Sequence, residues 1–353
     1  MVVDTIEKML KIIVDKPKNR EFIERHRTSE KDFIRNRTLS FSDIVNFVIG
    51  NTGMSLDFEV MNFCEESGTS VSAAAVSKAR SKVSFRAFED LFQATAEEIP
   101  STNTFNGYRL TAFDGMKGEL PKTKELMSDY SASKRDGYPQ FHAVAAYDVL
   151  NCCYTKAVFK PGATDERKAA SEILSTHDYT GKEIFLLDRG FPSLKIIYQI
   201  NSMGKNFVMR VSGSFLREVN EFTSSGAKDA VVHVNYDKSR SRTSRVSGVP
   251  LPYEFNLRCV MIPLGNGKSE TLVTNLSENE FSLKEIGELY NLRWKIETGF
   301  LHLKYAVCVE DFIGIKENSI KQEFFASLMK ANIFMQFVEL SNQLILHKKN
   351  VKA

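Results

Sequence analysis

The segment from Tyr290 to Lys304, YNLRWKIETGFLHLK, constrains this chain more than any other. It lacks proline and has no glycine before Gly299, so it predicts a helix. At about 100° per residue, its Tyr, Arg, Glu and Lys side chains fall within about 60° of one another, beside an apolar stripe. One edge is therefore predicted to enter a core, and the next edge presents Glu297 among a phenol, a guanidinium and an ammonium. For the helix alone, a solvated face with an ordinary Arg–Glu pair is the commoner arrangement.

Two further carboxylates each follow a predicted strand and precede a glycine. Residues 108–115 predict a short strand that Gly115 ends directly after Asp114. Residues 183–191 predict a buried strand that ends in Asp188, again with a glycine two positions later. An acid beside a glycine at a strand end is where a ligand or a metal can approach the backbone.

The spacing of the Tyr, Arg, Glu and Lys in the 290–304 segment resembles the signature of DDE-type insertion-sequence transposases. Within these it resembles the group whose prototype is insertion sequence four. The resemblance implies an α/β fold with a ribonuclease-H-like catalytic core, interrupted by a β-rich insertion and preceded by an N-terminal helical domain. It also implies that Asp114, Asp188 and Glu297 are the catalytic residues and the metal ligands.

The pattern of elements and the resemblance together predict how the chain is divided. A strand–strand–strand–helix–strand–helix order precedes a segment of alternating apolar and polar residues, which separates Asp188 from Glu297. The predicted parts are a helical DNA-binding domain at 1–105, a catalytic core at 106–204 and 276–345, a β-rich insertion at 205–275, and a basic tail at 346–353.

Basic and aromatic side chains in three segments are candidates for DNA contacts. An alanine-rich predicted helix and a basic run in the insertion are each explained equally well by a solvated face or loop. On the 290–304 helix, the resemblance implies that the polar residues anchor phosphates and that the single tryptophan stacks on a displaced base. The candidates are Lys78, Arg80, Lys82, Arg240, Arg242, Arg245, Tyr290, Arg293, Trp294 and Lys304.

The resemblance implies two Mg²⁺ ions as cofactors, with Mn²⁺ able to substitute. Two divalent ions about 3.5–4 Å apart can activate an attacking oxygen and stabilise a leaving one, and hard carboxylate oxygens suit them. No cluster of Cys and His competes as a zinc site. His142 lies in a predicted strand and is interpreted as a histidine that faces its neighbours rather than a ligand.

Composition bounds the compartment and the partners. A net charge of only +3 means that any DNA-binding surface must be local. Five cysteines, an odd number with one adjacent pair, indicate reduced thiols, and the first residues lack a secretory signal. No apolar run approaches the roughly 18 residues of a membrane span. We expect a cytoplasmic, nucleoid-associated bacterial protein that has no membrane partner.

The function expected from the resemblance is cut-and-paste DNA transposition. The protein would bind inverted repeats at transposon ends, cut the DNA by metal-dependent hydrolysis and join the 3′ ends to target DNA. It would do so as a homodimer on double-stranded DNA. A metal-dependent nuclease of the same fold and an inactive DNA-binding regulator derived from a transposase are the alternatives. The ending at Ala353 suggests either a short family member or a truncated reading frame.

Overall fold

A computed structural model of the chain describes residues 2–35, 37–131, 137–243, 246–264, 268–305 and 311–351, with the backbone alone at 241–243, 305 and 346–351.

The residues before the first strand form helices, each of which buries an apolar stripe. In one of them, Ser40 and Asp43 form a capping box that fixes the first turn, and Phe41, Ile44 and Val48 face the core. The helices are α1 (Val2–Asp15), α2 (Arg20–His26), α3 (Phe41–Gly50), α4 (Leu56–Ser67), α5 (Ala73–Arg80) and α6 (Arg86–Glu97).

The strands of the described chain form one eight-stranded sheet in the order β3-β2-β1-β4-β5-β8-β7-β6. The pairs β1–β4 and β4–β5 are parallel, and the other neighbouring pairs are antiparallel. The strands are β1 (Arg109–Glu119), β2 (Gln140–Asp148), β3 (Cys153–Pro161), β4 (Glu183–Leu187), β5 (Asn206–Val211), β6 (Asp229–Tyr236), β7 (Tyr253–Pro263) and β8 (Ser269–Thr274).

Helices cover both faces of this sheet, so the protein is of the α/β class. The later helices in the described residues are α7 (Lys124–Tyr130), α8 (Glu166–Ser175), α9 (Leu194–Ser202), α10 (Arg217–Ser225), α11 (Lys238–Thr243), α12 (Leu283–Leu292), α13 (Lys295–Tyr305) and α14 (Glu317–Val351). The α12–α14 face shares its core with the N-terminal helices, and α8, α9 and α10 pack on the opposite face. None of the helices in the described chain is both long and apolar enough to cross a membrane.

The parallel register of β1 and β4 is what aligns the candidate aspartates. Phe113 pairs with Leu187, so Asp114 and Asp188 are the next residues of neighbouring strands. The prediction that β1 ends at Gly115 is wrong, because β2 continues to pair with β1 as far as Glu119. Asp114 therefore lies where pairing with β4 stops rather than where the strand stops.

Residues 205–275 contain four predicted strands, and the structure confirms each of them. These strands, β5–β8, are hydrogen-bonded into the same sheet as β1–β4, with β5 parallel to β4 and β8 antiparallel to β5. The helices α10 and α11 in this segment were missed by the sequence prediction. The division of the chain into a core and an insertion stays a prediction.

The prediction of one unbroken helix from Tyr290 to Lys304 is wrong, because α12 ends at Leu292 and α13 begins at Lys295. The amide of Arg293 donates to the Tyr290 carbonyl and that of Trp294 donates to the Asn291 carbonyl, which are three-residue spacings. Such bonds overwind the backbone and change the direction of the side chains that follow.

Arg80 in α5 joins the N-terminal helices to α14. The side chain is 4% exposed and forms an ion pair with Glu323 at 2.6 Å. Its guanidinium also donates to the Gln322 side chain at 2.7 Å and to the Ser319 carbonyl at 2.6 Å. Glu323 in turn accepts from the amides of residues 313 and 314, both at 2.9 Å. Every partner of this buried carboxylate is therefore supplied by protein.

We expect Arg80→Ala to lower the free energy of unfolding by about 3–5 kcal/mol, because Glu323 would be left buried without its countercharge. Urea titration measures this loss. Lys78→Ala on the exposed side of the same helix is the control and should change stability by less than about 0.5 kcal/mol. Equal effects of the two substitutions would contradict the structural role of Arg80.

Candidate functional site

Asp114 and Asp188 lie at the edge of the sheet where β1 and β4 separate. Side chains alternate along a strand, and the apolar residues before the two aspartates, Phe113 and Leu187, pack on the α8 and α9 face. Asp114 consequently points to the α12–α13 face. Asp188, which follows β4, accepts a hydrogen bond from Tyr290 of α12.

Arg293 occupies the space between the acids. Its side chain is 2% exposed, with Nη1 at 3.8 Å from Asp114 Oδ2 and Nη2 at 3.1 Å from Glu297 Oε1. The break between α12 and α13 turns the guanidinium inward at this point. Burial disfavours its charge, yet the carboxylates nearby, Asp188 and Asp114 among them, raise the pKa of Arg293 above its usual value. The guanidinium is thus a fixed positive charge beside two carboxylates.

Tyr290 acts as a neutral hydrogen-bond donor in this arrangement. Its hydroxyl donates to Asp188 Oδ1 at 3.1 Å, and the side chain is 2% exposed. Burial, followed by the charge of Asp188, raises the pKa of Tyr290 far above its usual range. Tyr290 and Arg293 therefore contact the acids directly and are not displayed to solvent.

Arg210 and Glu270, which sequence reasoning missed, complete this edge of the sheet. Arg210 of β5 lies 3.8 Å from Asp188 Oδ1 through Nη1 and 3.4 Å from Glu270 Oε2 through Nε. Burial raises the pKa of Glu270, and Arg210 opposes that rise. An arginine within the apolar run of β5 was an available signal, but the pairing of β5 with β8 could not be identified from sequence.

The surroundings of Asp114 raise the pKa of its carboxyl group. Burial raises its pKa from 3.8 to about 6, and the charges of Glu297 and Asp188 add to the rise. The Gly115 amide, which donates to Oδ1 at 2.8 Å, and the Arg293 charge lower it only in part. Burial therefore disfavours the charged form of Asp114 more than its hydrogen bond and Arg293 favour it.

The donor chemistry of Asp114, Asp188 and Glu297 fits a divalent cation. Carboxylate oxygens are the ligands that Mg²⁺ prefers, and the raised Asp114 pKa indicates that added positive charge would stabilise the site. Within the described ranges, no three His, Cys, Asp or Glu side chains form a ready-made group for a metal ion. Arg293 instead lies between Asp114 and Glu297.

Trp294 and Lys304 are the predicted DNA contacts of the 290–304 segment that face solvent. Trp294 is 56% exposed, and the Arg293 guanidinium lies 5.0 Å from its ring centroid. Lys304, near the end of α13, is also exposed. Both remain accessible to a large ligand, in contrast to Tyr290 and Arg293.

The other predicted DNA contacts have different surroundings. Lys78 and Lys82 line a cavity of about 500 Å³ with Lys31, Arg35 and Arg37. Lys82 also lies 3.5 Å from Asp32. The buried Arg80 points away from this surface into the contact with α14, so it has a structural role that the sequence did not predict.

In the basic run of the insertion, Arg240 donates through Nη1 and Nη2 to both oxygens of Glu218, at 2.9 and 3.1 Å. The side chain of Arg242 and all of Arg245 lie outside the described residues.

A family model described as a transposase DDE domain matches residues 105–333. The chain is also 23% identical over 286 residues to transposase InsG for insertion sequence element IS4 from Escherichia coli (strain K12). That alignment covers 78% of this chain and 63% of InsG, so the chain spans less than two thirds of this curated relative.

Among solved structures, the chain is similar to a cryo-EM structure of the piggyBac transposase synaptic complex with hairpin DNA. The TM-score is 0.51 at 10% sequence identity, and the match covers 94% of this chain and 75% of the other. At this identity the likeness concerns the fold.

We expect Asp114→Asn to stabilise the metal-free protein at neutral pH. A folded-state pKa of about 6, above the usual 3.8, means that the stability from protonated Asp114 is present below about pH 4 and lost as pH rises through 6. At about 1.4 kcal/mol per pKa unit, the variant should gain about 1–3 kcal/mol at pH 7.5 and little at pH 4.

Urea titrations in a chelator at the two pH values measure this difference. Asp178→Asn is the control, because that aspartate is exposed and pairs only with Lys156 among the described residues, at 3.2 Å. A pH-independent difference between wild type and Asp114→Asn would contradict the raised pKa.

Proposed function

The chain belongs to the DDE transposase family, and we propose that it is a DNA transposase that cuts at transposon ends and joins the freed 3′ ends to target DNA. The observation that carries this proposal is the convergence of Asp114, Asp188 and Glu297 around the buried Arg293. The named relatives support DNA as the substrate, since one is a transposase of an insertion sequence and the other was solved with hairpin DNA.

Asp114, Asp188 and Glu297 would hold Mg²⁺, or Mn²⁺ in its place. When bound, two such ions would activate the attacking oxygen and stabilise the leaving oxygen of a phosphodiester. The chain's own contribution is to bring together three carboxylates that are far apart in sequence. It also keeps Arg293 beside them, where the positive charge limits their mutual repulsion.

Arg293 and Tyr290 would also position the DNA backbone. Both already lie against the acids, so a phosphate that enters between them would meet a planar guanidinium and a neutral phenol donor. Lys304 and Trp294 lie on the exposed side, suited to a neighbouring phosphate and to a displaced base.

We assign the β3-β2-β1-β4-β5 part of the sheet to a ribonuclease-H-like core. Its three antiparallel strands followed by parallel strands, with helices on both faces, support the assignment. The strands β6–β8 would then be the insertion that extends this core, and β5, which the predicted insertion at 205–275 included, would belong to the core. A homodimer on two transposon ends is part of the same proposal.

The basic cavity beside α5 is the second proposed DNA contact. Five basic side chains line it, and its apolar walls come from the same N-terminal helices and loop. Concentrated positive charge binds phosphates through counterion release, and the low net charge of +3 makes such a concentration significant. We propose that this surface grips duplex DNA while the acids act on its end.

We expect Asp114→Asn, Asp188→Asn and Glu297→Gln each to slow Mg²⁺-dependent nicking by about a hundredfold to a thousandfold, the cost of removing one electrostatic contributor at a reacting centre. The substrate is labelled DNA from the sequence that flanks the gene. Binding to that DNA should be retained, since the acids do not hold the duplex.

Glu288→Gln is the matched control, because Glu288 is an exposed acid of α12 that pairs with Lys284 at 3.6 Å. Wild-type nicking by a variant of any one candidate acid would remove that residue from the site. Joining of a 3′-hydroxyl end to a second duplex separates a transposase from a nuclease of the same fold.

We expect Arg293→Lys to slow single-turnover nicking by about tenfold to a hundredfold at saturating Mg²⁺. Lysine keeps the charge but loses the planar fork that spans Asp114 and Glu297, and small misplacements at a reacting centre carry costs of this size. Arg217→Lys is the control, since Arg217 forms an exposed pair with Glu221 four residues later at 3.3 Å. Near-normal rates for Arg293→Lys would favour a purely structural Arg–Glu pair.

A further inference from the structure

Glu166, the first residue of α8, lies beside both chain segments that carry the aspartates. A Cβ built on Gly115 would lie 3.1 Å from Glu166 Oε1, and one built on Gly190 would overlap Glu166 Oε2. Gly115 follows Asp114 directly, and Gly190 comes two residues after Asp188. One carboxylate therefore places an oxygen against each of the two segments.

Strand alternation puts Glu166 behind the candidate site rather than in it. Phe113 packs with Ala169 of α8, and Gly115 shares that face of the sheet. Asp114, between them in sequence, points to Arg293 on the other face. Glu166 thus contacts the backbone that carries the acids and does not share their ligand space.

His142, the strand histidine of β2, lies against this carboxylate. Its side chain is 1% exposed, and Nδ1 lies 2.9 Å from the Thr164 carbonyl, which can only accept, so Nδ1 carries a proton. Nε2 lies 3.3 Å from Glu166 Oε1 and has no well-directed hydrogen bond to another described residue. The contact with His142, partly offset by burial, lowers the pKa of Glu166.

The two glycines serve this contact through their lack of a side chain. Neither Gly115 nor Gly190 is among the positive-φ residues of the described chain, so their backbone conformations are open to alanine. An alanine methyl group would meet Glu166 at both positions and His142 Nε2 at Gly115, at 2.8 Å, so the flexible Glu166 carboxylate would have to move. The space beside Gly190 is occupied by Glu166, and the space beside Gly115 by Glu166 and His142. From the sequence alone, the glycines are interpreted as places where a ligand could approach the backbone.

We propose that Glu166, which lies beside His142, is a positioning residue that sets the separation of Asp114 and Asp188. The carboxylate braces the two segments from the face opposite the acids, so that both side chains meet the same ligand. This inference rests on the proposed function, because it assigns Glu166 a part in aligning the proposed metal ligands.

The test measures Mn²⁺ binding to the metal-free protein by electron paramagnetic resonance, together with single-turnover nicking. Glu166→Ala should weaken Mn²⁺ binding by about tenfold or more, a usual cost of losing an outer contact of a metal site, and slow nicking to a similar degree. Gly190→Ala should do the same, because its methyl group displaces the Glu166 carboxylate.

The double variant Glu166→Ala/Gly190→Ala shows whether the two substitutions act through the same carboxylate or cause separate defects. If both substitutions act through the Glu166 carboxylate, Gly190→Ala in a Glu166→Ala background should add little to either measurement. Glu166→Gln keeps the shape of the side chain and should retain more binding than Glu166→Ala. Glu172→Ala is the control, since Glu172 is on the same helix and pairs with Lys160 at 2.7 Å, and it should match wild type.

Wild-type Mn²⁺ binding and nicking by Glu166→Ala would overturn the positioning role alone. So would a lowered melting temperature with unchanged Mn²⁺ binding, or full additivity in the double variant. Wild-type protein that neither binds Mn²⁺ nor nicks DNA would overturn the proposed function and this inference together. If Glu166→Ala does not fold, Glu166→Gln and Gly190→Ala decide the question by the same two measurements.

Discussion

The balance of charge around Arg293 is the constraint on which the rest of this structure depends. A guanidinium that is almost fully buried needs anionic partners, and Asp114 and Glu297 supply them from a strand and a helix that are far apart in sequence. The balance is incomplete, since burial still raises the pKa of Asp114 to about 6. Added positive charge would therefore stabilise the ionised form of Asp114.

The two faces of the sheet near the aspartates carry different groups. Parallel pairing of β1 with β4 brings the aspartates level, and alternation then directs Asp114 to the α12–α13 face. The opposite face carries α8, whose Glu166 fills the room beside two glycines. The candidate acids and the carboxylate that lies beside their backbone are thus separated by one layer of sheet.

Local patterns predicted most elements because alternation and helical periodicity are properties of neighbouring residues. The predicted order of three strands, a helix, a strand and a helix is confirmed as β1, β2, β3, α8, β4 and α9, although α7 between β1 and β2 was missed. The break at Arg293 was missed, because no proline or glycine marks it and the buried partner of Arg293, Asp114, comes from a distant segment. The continuation of β1 was missed for the same kind of reason, since β2 sustains it.

The sequence by itself determined the family, through the spacing of four polar residues on one segment, and it singled out the three acids that the structure brings around Arg293. Only the tertiary structure decided which cations face solvent. Arg80 and Lys78 differ by two positions on one helix, yet Arg80 is buried by a helix whose residues come about 240 positions later. Arg210 lies beside Asp188, and Glu166 lies beside Gly190, for the same reason: these contacts depend on which strands and helices become neighbours. Pairing between distant segments is fixed by packing. The local sequence shows by its periodicity which residues are buried, but it does not show which distant segment covers them.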